Sequence, residues 1–171
     1  MKNLQIARPP VKVLFVCLGN ICRSPMAEAV FAHLVNEADL ADQFEIDSAG
    51  TGDYHIGETA HHGTLEILRQ QQIPYNGRAR QINAADLDYY DYIITMDDAN
   101  FEDVNAIGKG RAEVRPLLSF APAQELTEVP DPYYHGGFDK VFDLIHESCV
   151  GLLEHICKST FDAQISTIPR P

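Results

Sequence analysis

The sequence has 171 residues and a formal net charge of −12, with 45% hydrophobic and 22% charged residues. This length and composition are typical of one globular domain with a sizeable core. Acidic residues number 25 against 13 basic ones, which argues against nucleic acid as a partner, because such binding depends on Lys and Arg that neutralise phosphates. A substrate with one small phosphate is compatible with this charge, since a local site can be positive on an acidic protein.

The N-terminal segment and the cysteine content favour a cytoplasmic protein. Residues 1–10 lack the apolar core of a secretory signal, and no apolar run reaches the ~20 residues of a membrane span. Only four cysteines occur, too few for a disulfide scaffold, so we expect reduced thiols. We therefore predict a cytoplasmic protein without membrane insertion.

Apolar patterns predict four short strands. The run at residues 11–16 is of the kind that is buried on both faces of a parallel sheet. Three further strands are predicted at residues 44–47, 91–96 and 111–118. Helical segments separate them, and this alternation predicts a small parallel α/β sheet in a single domain.

Helix signals fill the intervals between the strands. Pro25 suits the first turn of a helix, Asn83 is a predicted cap, and Asp97 or Asp98 caps a later helix. The clearest helical period runs from residue 138 to residue 156.

The predicted domain spans residues 11–159. We expect a flexible arm at residues 1–10 and a tail at residues 160–171.

The junction of the first strand and the first helix has the features of a phosphate site. Cys17 ends the strand, at the edge where open parallel sheets bind ligands, and Gly19 lies in the short loop that follows. Backbone N–H groups of such a loop, the helix N-terminus and Arg23 all favour an anion. Comparable settings lower a cysteine pKa to roughly 3.5–7.5 from about 8.5, and a thiolate is a competent nucleophile toward phosphorus.

Arg23 follows Cys17 by six positions. Its planar guanidinium can contact two equatorial oxygens of a phosphoryl group, where charge must be stabilised during phosphoryl transfer. A buried structural cysteine and an unrelated surface arginine also occur at this spacing by chance. The preceding strand, the glycine and the Ser-Pro helix start favour the catalytic interpretation.

Residues 13–26, V-L-F-V-C-L-G-N-I-C-R-S-P-M, resemble the signature of the low-molecular-weight protein tyrosine phosphatases. The resemblance implies a flavodoxin-like fold, a four-stranded, mostly parallel sheet with helices on both faces. It also implies hydrolysis of phosphotyrosine and small aryl phosphates through a phosphocysteine, with no metal or other cofactor. Its other motifs, which extend it over roughly residues 11–158, are S-A-G-T at 48–51, A-R-Q at 79–81, T-M-D at 95–97 and D-P-Y-Y at 131–134.

The resemblance also implies residue roles. Cys17 would attack phosphorus, Arg23 would bind the phosphate and the transition state, and Asp131 would protonate the leaving phenol. Asn20 would brace the loop, and Ser24 would hydrogen-bond the Cys17 thiolate. The predicted substrate-binding residues belong to the loop and to three cleft tyrosines: Leu18, Gly19, Asn20, Ile21, Cys22, Ser24, Tyr54, Tyr133 and Tyr134.

Asp131 also has a chemical rationale of its own. A phenolate leaves poorly unless it is protonated, so a carboxylic acid must reach the leaving oxygen, and the same group once ionised can activate water. Asp-Pro is equally an ordinary turn opening, and the resemblance is what favours the acid.

Cys22 has two possible roles. In the resembled family the corresponding cysteine can form a reversible disulfide with the nucleophile and guard it from over-oxidation. The alternative is a small buried residue of the loop.

The expected partner is a tyrosine-phosphorylated protein, for which a tyrosine kinase is one candidate, and we expect a monomer or a weak dimer.

Three alternatives follow from the same residues. A related thiol-coupled arsenate reductase would need mid-chain cysteines, and residues 23–148 contain none. A related phosphoarginine phosphatase carries threonine where Ile21 stands, and isoleucine favours phosphotyrosine through the shape of the pocket. A non-catalytic phosphate-binding or redox-sensing module is disfavoured because the nucleophile, the arginine and the acid are all present.

One position departs from the family pattern. Some members carry a histidine two residues before the A-R-Q motif, within the network that supports the loop serine. Here that position is Gly77, so we expect the support of Ser24 to come from elsewhere.

Overall fold

A computed structural model describes residues 8–161 of the protein. Its middle layer is a parallel sheet of four strands. The strands are β1 (Val11–Cys17), β2 (Phe44–Gly50), β3 (Tyr92–Thr95) and β4 (Glu113–Pro116). All three strand pairings are parallel, and the strand order is β2-β1-β3-β4. The predicted fold class is confirmed, with no antiparallel strand in the sheet.

Helices cover both faces of the sheet because successive side chains of β1 point to opposite sides. The helices are α1 (Arg23–Glu37), α2 (His62–Gln70), α3 (Asp86–Tyr89), α4 (Asp98–Ile107), α5 (Pro132–His135) and α6 (Phe138–Thr160). Val13 and Phe15 pack in a large cluster with α1 and α6, whereas Leu14 and Val16 pack in a second cluster with α3 and α4.

Two strands differ in length from the prediction by three or more residues. The fourth, predicted at residues 111–118, covers only Glu113–Pro116, because proline has no N–H for the ladder and the chain turns into a 3-10 helix at Leu117–Phe120. The second, predicted at residues 44–47, continues to Gly50. A Cβ at Gly50 would lie 2.7 Å from the Leu18 carbonyl oxygen, so glycine lets this strand run close beside the loop after β1.

The chain ends lie mainly outside the described residues. The predicted arm overlaps the undescribed residues 1–7, and the predicted tail overlaps residues 162–171, so both remain predictions. Within residues 8–161, no helix combines the length and the apolar character needed to cross a membrane.

Candidate active site

The loop between β1 and α1 folds around the sulfur of Cys17. The backbone N–H of Asn20 donates to Cys17 Sγ at 3.3 Å, and Ser24 Oγ lies 3.0 Å from the same sulfur. Asn20 has a φ of 55°, in the left-handed region that asparagine tolerates better than most residues. This turn of the backbone brings the N–H of Asn20 toward the Cys17 sulfur.

Asn20 also organises the layer beneath the loop. Its side-chain amide donates to Ser24 Oγ at 2.7 Å and to Ser48 Oγ at 2.9 Å, and its Oδ1 accepts from the N–H of Arg80 at 3.0 Å. Because Ser24 accepts from Asn20, its own hydrogen is available to the Cys17 sulfur. Gly77 has no side chain that could support Ser24 by hydrogen bonding, and Asn20 provides this support instead.

The carbonyl groups of the loop are bound on its outer side. After β2, the N–H of Thr51 donates to the Cys17 carbonyl at 2.9 Å. At the start of α2, the N–H of His61 donates to Ile21 O at 2.8 Å and Thr64 Oγ1 donates to Cys22 O at 3.0 Å. With these carbonyls satisfied from outside, the loop can present N–H groups to an anion.

Arg23 is fixed by three oxygen acceptors. Its NH1 donates to Asp97 Oδ2 at 2.7 Å and to the Val129 carbonyl at 3.0 Å, and its NH2 donates to Asp131 Oδ2 at 3.4 Å. Burial favours a lower pKa for the Arg23 guanidinium, but Cys17 and the two carboxylates outweigh it and raise the pKa overall. The guanidinium therefore remains charged.

Asp97 has a second function that the motif did not reveal. Its Oδ1 accepts from the N–H of Asn100 at 2.8 Å, so the predicted helix cap is confirmed for α4, while its other oxygen holds Arg23. Sequence reasoning identified the cap and missed the contact with Arg23, because that partner lies 74 residues earlier.

Asp131 caps the short helix α5 and reaches the same cleft. Its Oδ1 accepts from the N–H of Tyr133 at 3.0 Å, and its other oxygen faces Arg23. The carboxyl is partly exposed, at 28% of its side chain, so it can exchange protons with a ligand or with water.

A cleft of about 430 Å³ brings the predicted residues together. Cys17 lies deep, at 3% exposure, whereas Tyr54 and Tyr134 at the rim are each 70% exposed. Asn20 and Ser24, predicted among the substrate-binding residues, lie beneath the loop and not in the lining. The lining consists of Cys17, Leu18, Gly19, Ile21, Cys22, Arg23, Tyr54, His55, Asp131, Tyr133 and Tyr134.

His55 is the lining residue that sequence reasoning missed. Its Nδ1 lies 2.7 Å from Glu58 Oε2, and its ring centroid is 6.2 Å from that of Tyr133. A lone histidine in a loop gives no indication in the sequence that it lines a cleft.

Within residues 8–161, no three His, Cys, Asp or Glu side chains are grouped to hold a metal ion.

Cys22 is a free, buried thiol that lines the same cleft as Cys17. Burial, followed by the charges of Cys17 and Asp131, raises the pKa of Cys22 to about 12, against the opposing effect of Arg23. The Cys22 thiol therefore keeps its proton at neutral pH.

The sequence model of a known family, described as low molecular weight phosphotyrosine protein phosphatase, matches residues 12–161. The chain belongs to this phosphatase family. It is a hydrolase, as the names of its curated relatives also indicate.

Two bacterial members of the phosphatase family are similar over nearly their full length. The low molecular weight protein-tyrosine-phosphatase YfkJ of Bacillus subtilis is 46% identical over 151 residues, which cover 86% of this chain and 97% of that protein. Its crystal structure aligns with a TM-score of 0.86 at 45% identity, over 88% of this chain and 97% of that one. PtpA of Staphylococcus epidermidis is 41% identical over 86% of this chain and 95% of that protein.

The same fold also occurs in a protein whose title names another substrate. The structure of a Drosophila arginine phosphatase aligns with a TM-score of 0.81 at 35% identity, over 85% of this chain and 97% of that one. Within the phosphatase family, the choice of substrate must therefore be argued from the lining of the cleft.

Proposed function

We propose that the chain hydrolyses phosphotyrosine and small aryl phosphates through a phosphocysteine intermediate. The observation that carries this proposal is the convergence of Cys17, Arg23 and Asp131 on one cleft, with Ser24 placed against the sulfur. These residues supply a nucleophile, a fixed cation and an acid, which are the three groups that transfer from an aryl phosphate requires.

In the first step the Cys17 thiolate attacks phosphorus. The S–P bond forms as the P–O bond to the phenol breaks, and Asp131 gives its proton to the leaving oxygen. Arg23 and the loop N–H groups stabilise the charge on the equatorial oxygens.

In the second step the ionised Asp131 takes a proton from water. The water oxygen bonds to phosphorus, the S–P bond breaks, and inorganic phosphate and the Cys17 thiolate are released. The proton taken from water stays on Asp131, which is then ready to act as the acid in another cycle.

The lining of the cleft favours an aryl ester. Rings of Tyr54, Tyr133 and Tyr134 stand above the deep sulfur, so a phenyl ring can contact them while its phosphate reaches Cys17. Ile21 presents an apolar side chain to the cleft, which suits a phenyl ring better than the charged guanidinium of phosphoarginine.

We also propose a cellular setting for this activity. The substrate is a tyrosine-phosphorylated protein, for which a tyrosine kinase is one candidate, and the enzyme acts in the cytoplasm as a monomer or a weak dimer.

Peroxide oxidises the Cys17 thiolate to a sulfenic acid. The Cys22 thiol then attacks that sulfur, which releases water and forms a disulfide that an external thiol reduces again.

A substrate panel tests the proposal. We expect turnover of phosphotyrosine peptide and p-nitrophenyl phosphate without added metal, with phosphoserine and phosphoarginine peptides turned over at least about tenfold more slowly. Cys17→Ser serves as the inactive control. Preferred turnover of phosphoarginine would overturn the substrate assignment, and full activity of Cys17→Ser would overturn the mechanism.

A further inference from the structure

Glu28 lies at the outer end of the hydrogen bonds that lead to the nucleophile. It follows Ser24 by one turn on α1, and it accepts from Ser48 Oγ at 3.4 Å. Ser48 accepts in turn from the Asn20 amide, which also donates to Ser24. A connected series of hydrogen bonds therefore runs from the Glu28 carboxyl to the Cys17 sulfur.

Tyr75 completes this outer layer from the segment after α2. A Cβ at Gly77 would lie 2.3 Å from the Tyr75 hydroxyl oxygen, so the absence of a side chain at residue 77 leaves room for the phenol. The hydroxyl of Tyr75 lies close enough to Glu28 and Ser48 to influence the Glu28 carboxyl, and it acts to lower the pKa of Glu28 by favouring the ionised form. Gly77 and Tyr75 thus act together to place a polar group behind Ser48.

The direction of the donors explains what this layer does. Asn20 can donate to Ser48 only if the hydrogen of Ser48 points elsewhere, and the Glu28 carboxyl accepts that hydrogen. With its two amide hydrogens on Ser48 and Ser24, Asn20 is held in one orientation. The Ser24 hydrogen is then left for the Cys17 sulfur at 3.0 Å or the Ala49 carbonyl oxygen at 3.4 Å, of which the sulfur is the nearer.

We propose that Glu28 and Tyr75 are positioning residues that hold Ser48 as an acceptor for Asn20 and thereby keep Ser24 donating to the Cys17 thiolate. This inference rests on the proposed function of Cys17. Neither residue touches the substrate, since neither lines the cleft.

The charges around Glu28 are consistent with a carboxyl that serves as a fixed acceptor. Burial, then the Asp47 carboxylate on β2, raise the pKa of Glu28 to about 8, against hydrogen bonds from Tyr75 and Ser48 that favour its ionised form. Arg80 pairs with Asp47 at 3.0 Å. A carboxyl oxygen accepts from Ser48 in either protonation state, so the arrangement does not depend on this titration.

The test compares how fast iodoacetamide alkylates Cys17 as a function of pH, with peptide fragmentation assigning the label to Cys17. Glu28→Met removes the acceptor, Glu28→Gln keeps a carbonyl acceptor, and Tyr75→Phe removes a single oxygen. The matched control is Tyr89→Phe, which breaks a tyrosine–glutamate hydrogen bond to Glu45 away from the cleft.

We expect Glu28→Met to slow alkylation at acidic pH by about tenfold, which corresponds to an upward move of the profile by about one pH unit, and to leave the alkaline plateau unchanged. Tyr75→Phe shifts the profile in the same direction by a smaller amount, whereas Glu28→Gln and Tyr89→Phe follow the wild type. Turnover of p-nitrophenyl phosphate falls in parallel.

Profiles of Glu28→Met and Tyr75→Phe that superpose on the wild type would overturn the inference. If Glu28→Met does not fold, as judged by its thermal transition, a wild-type profile for Tyr75→Phe alone would overturn it. Failure of the proposed function is distinguishable, because the wild-type enzyme would then show no turnover of p-nitrophenyl phosphate.

Discussion

The floor and the rim of the cleft are built in different ways. On the floor, Cys17, Arg23 and Ser24 are almost fully buried, and the side chain of each makes hydrogen bonds within the protein. On the rim, Tyr54 and Tyr134 are each 70% exposed, and Tyr134 is held by ring contacts with its neighbours in the chain. The floor therefore has one arrangement, whereas the rim can adjust to a ligand.

This difference separates two kinds of effect. In the proposed mechanism, groups on the floor contact the phosphoryl group, whose charge distribution changes in the transition state, so their loss should lower kcat. Groups on the rim contact the unreacting ring, which binds equally in ground and transition states, so their loss raises KM. The substitutions below test whether the two regions are independent in this way.

The largest effect is expected for Arg23→Lys. Lysine keeps the charge but loses the planar fork, and it cannot satisfy Asp97, Val129 and the phosphate together. We expect kcat for p-nitrophenyl phosphate to fall by about 10²–10³, the cost of losing a transition-state donor. The matched control is Arg69→Lys, an exposed arginine on α2 paired with Glu66. A change confined to KM would contradict the role given to the floor.

A smaller effect is expected for Tyr54→Ser at the rim. Removing one aromatic contact costs about 0.5–1.5 kcal/mol, so KM for phosphotyrosine peptide should rise about two- to tenfold with little change in kcat. Tyr89→Ser provides the control, because Tyr89 is an exposed tyrosine outside the lining. Steady-state kinetics showing a loss mainly in kcat would mean that the rim takes part in chemistry.

The smallest effect concerns stability and not activity. Because the pKa of Glu28 is raised from 4.5 to about 8, the folded state keeps a proton that the unfolded state releases. Its contribution to the free energy of unfolding is complete below pH 4.5 and is lost as the pH rises to about 8.

Glu28→Gln should remove this slope, measured by urea unfolding at several pH values. Between pH 4.5 and about 8, we expect the free energy of unfolding to fall by about 2 kcal/mol more in the wild type than in the variant. This value is smaller than the full linkage of ~1.4 kcal/mol per pKa unit because Glu28 is partly exposed to solvent. Glu37→Gln, exposed at the end of the same helix, is the control. Parallel slopes for wild type and Glu28→Gln would show that Glu28 is not titrating in this range.

The floor of the cleft could be predicted from the sequence because Cys17, Gly19 and Arg23 all lie within one short stretch, residues 17–23. Asp131 is 108 residues from Arg23, and only a family resemblance could pair them. The contact of Asp97 with Arg23 and the layer formed by Glu28 and Tyr75 carried no local signal. Glu28 in particular lies at an ordinary position for a charged residue on a helix, and its polar neighbours Ser48 and Tyr75 come from distant segments.

Trapping the intermediate is the most direct test of the central claim, that Cys17 carries the phosphoryl group. Asp131→Ala lacks the base that activates water, so it should accumulate phosphoenzyme when it is mixed with p-nitrophenyl phosphate and quenched in acid. The account predicts the added mass of one phosphoryl group on Cys17, and none in Asp131→Ala that also carries Cys17→Ser. A phosphoryl group on another residue, or continued hydrolysis by the double variant, would contradict it.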